Sequence, residues 1–120
     1  MNKEIAINEA TNDPRYLANI PDDASLNCRA IAAVFFLMDD FTNVDQSLHF
    51  PLEVIFAIND TCKELTPIDY EHLGYFVANV AGLYNPNTDT PTTMHRLGMG
   101  HVRLLREIFA KKLGGSITKH

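Results

Sequence analysis

At 120 residues the chain is long enough for one domain that buries roughly two-thirds of the surface of its unfolded chain. A composition of 46% hydrophobic and 21% charged residues excludes a disordered or fibrous chain, and two cysteines exclude a disulfide-stapled scaffold. The formal net charge of −5 is unevenly spread: residues 1–93 hold four Lys or Arg against fourteen Asp or Glu, whereas residues 94–120 set six basic side chains against Glu107, a basic element on an acidic body.

Residues 1–21 show no sustained helical period, and Asn12-Asp13-Pro14 and Ile20-Pro21 punctuate them. They read as an irregular, partly flexible N-terminal arm whose second half is pinned to the body by Tyr16, Leu17 and Ile20. No basic stretch leads into an apolar one here, which predicts neither a secretory signal nor a membrane anchor and places the protein in the cytoplasm.

A helical domain is expected over residues 22–115, with four helices at roughly 23–41, 50–65, 67–84 and 91–113. Asp22, Asp23 and Ser25 offer a cap and negative charge for the first. Its centre is Ala30 to Met38, nine consecutive apolar residues. That run is far short of the about 20 needed to cross a bilayer, yet it is apolar on every side of a helix and must be covered all round. Ala30, Ile31, Val34, Leu37, Met38 and Phe41 gather on one face; Arg29, Ala33, Phe36 and Asp40 form a second stripe.

Turn formers fill Asp39 to Ser47, and Phe50-Pro51 suits the start of a second helix with Leu52, Ile55, Ile58, Cys62 and Leu65 inside. Cys28 and Cys62 lie symmetrically about position 45, so an antiparallel pairing of these two helices would set them at one level; both read as reduced core thiols. Thr66-Pro67-Ile68-Asp69 combines a capping threonine, a proline at the first helical position and an acidic third residue, and starts the third helix. Leu73, Phe76, Val77, Val80 and Tyr84 form its inner face, and Gly74 and Gly82 weaken the helix by about 1 kcal/mol each but permit close helix approach. Thr90-Pro91 repeats the signal, Met94, Leu97, Leu104, Leu105 and Ile108 carry the fourth stripe, and Gly114-Gly115 reads as a stop before a frayed tail, 116–120. The fold class is therefore all-α: a four-helix, bundle-like single domain behind the arm.

No constellation of catalytic chemistry emerges. The five histidines lack His-x-x-His or His-x-x-x-His spacing, and Asp69-x-x-His72 and His49-x-x-x-Glu53 each join one imidazole to one carboxylate, so no metal site is expected. Cys28 and Cys62 sit among apolar neighbours where a thiol is inert. Leu97-Gly98-Met99-Gly100 lacks the preceding strand and the lysine of a phosphate-binding loop. His101 falls within the apolar stripe of the fourth helix, the position of a core imidazole bonded to a carbonyl or carboxylate. No cofactor and no enzymatic activity are expected.

The pattern predicts instead a small protein-binding module, an adaptor, regulator or inhibitor acting on another protein or on a second copy of itself. Its interface residues would be Arg29, Ala32, Ala33 and Phe36, on the side of the apolar helix that one core face cannot hide. The alternative is a nucleic-acid-associated regulator in which Arg96, Arg103 and Arg106 of the basic fourth helix meet phosphates, against the repulsion of the acidic body.

Overall fold

The computed structural model describes the backbone of residues 2–37 and 51–117 and the side chains of residues 4–37 and 51–111. Six α-helices and no strand occur among the described residues: α1 Asn2–Ala10, α2 Pro14–Asn19, α3 Leu26–Leu37, α4 Leu52–Cys62, α5 Pro67–Ala81 and α6 Pro91–Ile117. The all-α class is therefore observed. The last turn expected for the 23–41 helix, the loop after it, His49 and the tail beyond Ile117 lie outside the described residues.

Local chemistry explains the helix ends. The hydroxyl of Thr66 accepts from the Asp69 amide while the Asp69 carboxylate accepts from the Thr66 amide at 2.9 Å, a reciprocal cap that starts α5 with Pro67 in its first turn. Asp69 also accepts from Ser25 at 2.8 Å, and Ser25 in turn accepts from the amide of Cys28. One carboxylate thus joins the N-termini of α3 and α5, and α3 begins at Leu26 rather than 23 because Ser25, not the Asp22-Asp23 pair, caps it. At the other end of α5, Gly82 adopts φ 71° and the amide of Leu83 donates to the Ala78 carbonyl. This left-handed ending stops the helix at Ala81, three residues before the expected boundary.

Two further boundaries are corrected. Gly114-Gly115 does not stop α6, whose backbone stays helical through Ile117; glycine costs a helix about 1 kcal/mol without forbidding it. Leu52 is not on the inner side of α4 and is 44% exposed. At 3.6 residues per turn it lies about 120° from the centre of the buried face made by Val54, Ile55, Ile58, Thr61 and Cys62.

The largest correction concerns the N-terminal arm, which is helical rather than irregular. Asp13 caps α2 by accepting from the Arg15 amide, and Pro14 occupies its first turn. Asp13-Pro14 is the same cap-plus-proline signal as Thr66-Pro67, and it opens a helix instead of breaking one. In α1 the buried positions are Ala6 and Ala10, four apart and fully enclosed. Alanine contributes so little hydropathy that the stripe is faint in sequence, yet its small side chain brings the two backbones close.

These short helices supply much of the cover that the apolar run requires. α3 packs against α1, α4 and α5, and every residue from Ala30 to Phe35 is buried. Full burial of Ile31, Val34 and Phe35 contributes about 1.5–3 kcal/mol each. The most extensive helix pair is α5 with α6. There a Cβ on Gly74 would run into the Met94 carbonyl, and one on Gly98 into the Tyr70 carbonyl. The two backbones meet directly at these glycines.

Candidate binding groove between α4 and α6

The surface expected on α3 is half enclosed by the fold. Ala32 and Ala33 have no exposed area, and Phe36 is half-buried, edge-on to Tyr16 at 6.0 Å and to Phe76 at 6.5 Å between ring centroids. The Arg15 guanidinium lies 5.4 Å from the Phe36 ring centroid, on the side the core leaves open. Arg29 turns back on its own chain: its guanidinium donates to the carbonyls of Ala24 at 3.0 Å and Asp22 at 2.8 Å. It is a clamp on the α2–α3 connection. Sequence pattern revealed the apolar excess of α3 but not that α1, together with Tyr16 of α2, would help to cover it.

The alternative set behaves differently. Arg96, Arg103 and Arg106 are all exposed on α6. Arg103 and Arg106 line a depression of about 580 Å³ together with Asn59 of α4, Lys63 at its C-cap and Tyr70 of α5. Met99, Val102 and Ala110 of α6 form its apolar part, and Glu107 is the acidic residue among its lining side chains. Arg96 does not line the groove. It lies seven residues before Arg103, about 10 Å along the helix.

Residues from two stripes with the same spacing line the groove. On α4 and its C-cap, Leu52, Phe56, Asn59 and Lys63 recur at i, i+4, i+7 and i+11; on α6, Met99, Arg103, Arg106 and Ala110 do the same. The α4 stripe is apolar at its start, with Phe56 41% exposed. α4 packs on α6, and the Asn59 and Lys63 end of the first stripe meets the second in the groove, whereas Leu52 and Phe56 do not line it. The repeated spacing is the signal that could have found this groove, but only with the knowledge that α4 and α6 are neighbours.

Electrostatically the groove is basic and uncommitted. Lys63 lies 3.7 Å from Asp60, a solvent-exposed pair worth little. Arg103 and Arg106 have no ion pair or hydrogen bond among the described residues. Such side chains keep their charge available to a partner.

Most of the remaining chemistry-bearing residues are occupied structurally, although the buried Nδ1 of His72 has no hydrogen-bond partner among the described residues. His101 Nδ1 is 3.1 Å from the Leu97 carbonyl oxygen and its ring meets Phe35 edge-on at 6.0 Å. The Asp69 carboxylate is held by Ser25 and Thr66, while His72 Nε2 faces Asp23 at 3.8 Å. No group of three or more His, Cys, Asp or Glu that could hold a metal ion occurs among the described residues, and none of their helices is long and apolar enough to cross a membrane.

Cys28 and Cys62 are both free and buried. Burial pushes each thiol up to about 12, with the Asp69 carboxylate adding to the effect at Cys28 and Arg106 opposing it at Cys62. A thiol-specific reagent at pH 8 therefore modifies neither cysteine in the native protein and both in denaturant; rapid native labelling would contradict this burial. Because the folded thiols resist ionisation while unfolded ones ionise near 9.0, the unfolded state binds fewer protons above that pH. Stability accordingly falls as pH rises from about 9 towards 12.

Set against known proteins, the chain matches no family model, no curated protein and no solved structure.

Proposed function

We propose that this chain is a small protein-binding module whose binding face is the α4–α6 groove, not the α3 face that its sequence advertises. The observation that carries the reading is the pair Arg103 and Arg106, uncommitted within the fold and set beside Tyr70, Met99 and Val102. A depression of about 580 Å³ is within the usual range for a ligand site, and basic residues beside apolar ones match the composition of interface anchors.

A second reading, nucleic-acid binding, is favoured by one observation, the exposure of all three arginines along α6. Arg96 separates the two, because a phosphate backbone would follow the whole stripe whereas a groove ligand would not reach beyond its lining. Affinity capture from lysate with the tagged chain, the Arg96→Glu variant and the Arg103→Glu/Arg106→Glu variant tests both. Protein capture that survives nuclease and Arg96→Glu but is lost with the double variant supports the groove. Capture that nuclease abolishes, or that Arg96→Glu weakens equally, moves the assignment to nucleic acid. Capture indifferent to the double variant rejects both.

A further inference from the structure

The groove's charge pattern is more selective than its basic character alone, and it bears on what kind of protein segment fits, given the protein-binding reading above. We infer that the α4–α6 groove takes an acidic amphipathic segment, seating a large apolar side chain on Tyr70, Met99 and Val102 and placing carboxylates against Arg103 and Arg106.

Four observations support this occupant. The apolar part is preorganised: Val102 is buried, and the Tyr70 ring packs edge-on against His95 at 5.6 Å, so it is held in place before any ligand arrives. Arg103 and Arg106 are one helical turn apart, and carboxylates three or four residues apart on a facing helix have the same repeat. The negative charges nearby define what is rejected. Glu107 stands among the lining residues and Asp60 lies beside Lys63, so a continuous polyanion would meet repulsion where discrete carboxylates flanking an apolar residue do not. Beyond Asn59 the α4 stripe turns apolar at Phe56 and Leu52, both exposed. A ligand following it needs apolar residues at helical spacing, which marks an amphipathic segment rather than an acidic tail.

Fluorescence anisotropy with the full chain tests this. The probe is a fluorescein-labelled peptide of about 15 residues, three to four helical turns, carrying Glu and Leu at i, i+3 and i+4 spacing. Three comparison probes are the same peptide with Lys for Glu, a poly-Glu peptide and a single-stranded oligonucleotide. The Glu/Leu peptide is expected to bind at least about tenfold more tightly than each of these, and to lose about tenfold or more with Arg103→Glu/Arg106→Glu. Both arginines are exposed, and circular dichroism checks that the variant keeps its helices. Equal binding of the Lys or poly-Glu peptide, or preference for the oligonucleotide, overturns the inference. If lysate capture depends on Arg103 and Arg106 but the Glu/Leu peptide fails to bind, the inference falls while the protein-binding reading stands; if capture ignores both arginines, both fall.

Discussion

Gly98→Ala and Gly74→Ala will each destabilise the protein by about 3 kcal/mol, whereas Gly100→Ala, only two residues from Gly98, will stabilise it by about 0.5–1 kcal/mol. The chemistry of the three changes is identical; the surroundings differ. A Cβ on Gly98 meets the Tyr70 carbonyl and the Gly74 amide, and one on Gly74 meets the backbone of Met94. Backbone atoms cannot rotate away as a flexible side chain can, so α5 and α6 must separate over their most extensive contact. Gly100 has nothing within 4 Å of its Cβ, so alanine there only narrows the conformational freedom of the unfolded chain. Urea unfolding followed by circular dichroism measures all three. For a domain of this length the destabilised variants should melt on the order of 10 °C lower. Neutral behaviour of Gly98→Ala would mean that α5 and α6 do not approach at this point.

Tyr16→Ala will cost about 4 kcal/mol and Tyr16→Phe about 1 kcal/mol. Tyr16 has no exposed surface, although it belongs to a helix of six residues near the chain's start. Its ring lies edge-on to Phe76 at 5.8 Å and to Phe36 at 6.0 Å, and its hydroxyl donates to the Arg29 carbonyl at 2.9 Å. It therefore ties α2 to α3 and α5. Truncation to alanine removes the ring and opens a cavity between helices; phenylalanine removes only the hydrogen bond and leaves one carbonyl to find another donor. The difference between the variants isolates the packing contribution. A loss below about 1 kcal/mol for Tyr16→Ala would show that the N-terminal helices are peripheral to the core.

Legibility varied with how local the determining physics was. Thr66-Pro67-Asp69 was readable because a capping box is closed by residues three apart, and the structure shows both of its hydrogen bonds. Asp13-Pro14 is equally local but reads as punctuation in the sequence, since no apolar stripe follows it to show that a helix has begun. Its stripe is Tyr16 and Ile20, both buried and four residues apart, too short to register as a period. The α1 helix was missed for a related reason: Ala6 and Ala10 pack by being small, and smallness carries no hydropathy signal.

The candidate site divides in the same way. The arginines of α6 were visible as charge, and Arg103 and Arg106 reach the groove; Arg96 does not line it. The partners across the groove, Asn59, Lys63 and Tyr70, come from α4 and α5, and nothing in their own sequence neighbourhood links them to Met99 or Val102. The α3 residues Arg29, Ala32, Ala33 and Phe36 were chosen on a sound premise, that an all-apolar helix needs cover on every side. The cover comes from the chain itself.

By itself the sequence determined the helical class, the start of α5, the identity of α3 as the most apolar helix, and the charge contrast between α6 and the rest. These follow from periodicity, capping and composition, which act over one or two helical turns. Only the tertiary structure decided that α1, α4 and α5 cover α3 with Tyr16 of α2 set against Phe36, that Arg29 clamps a loop, and that residues of α4, α5 and α6 line one groove. Those outcomes depend on which distant helices pack together, through small residues such as Ala6, Gly74 and Gly98 whose role is to let backbones approach, and such residues leave almost no trace in a hydropathy pattern.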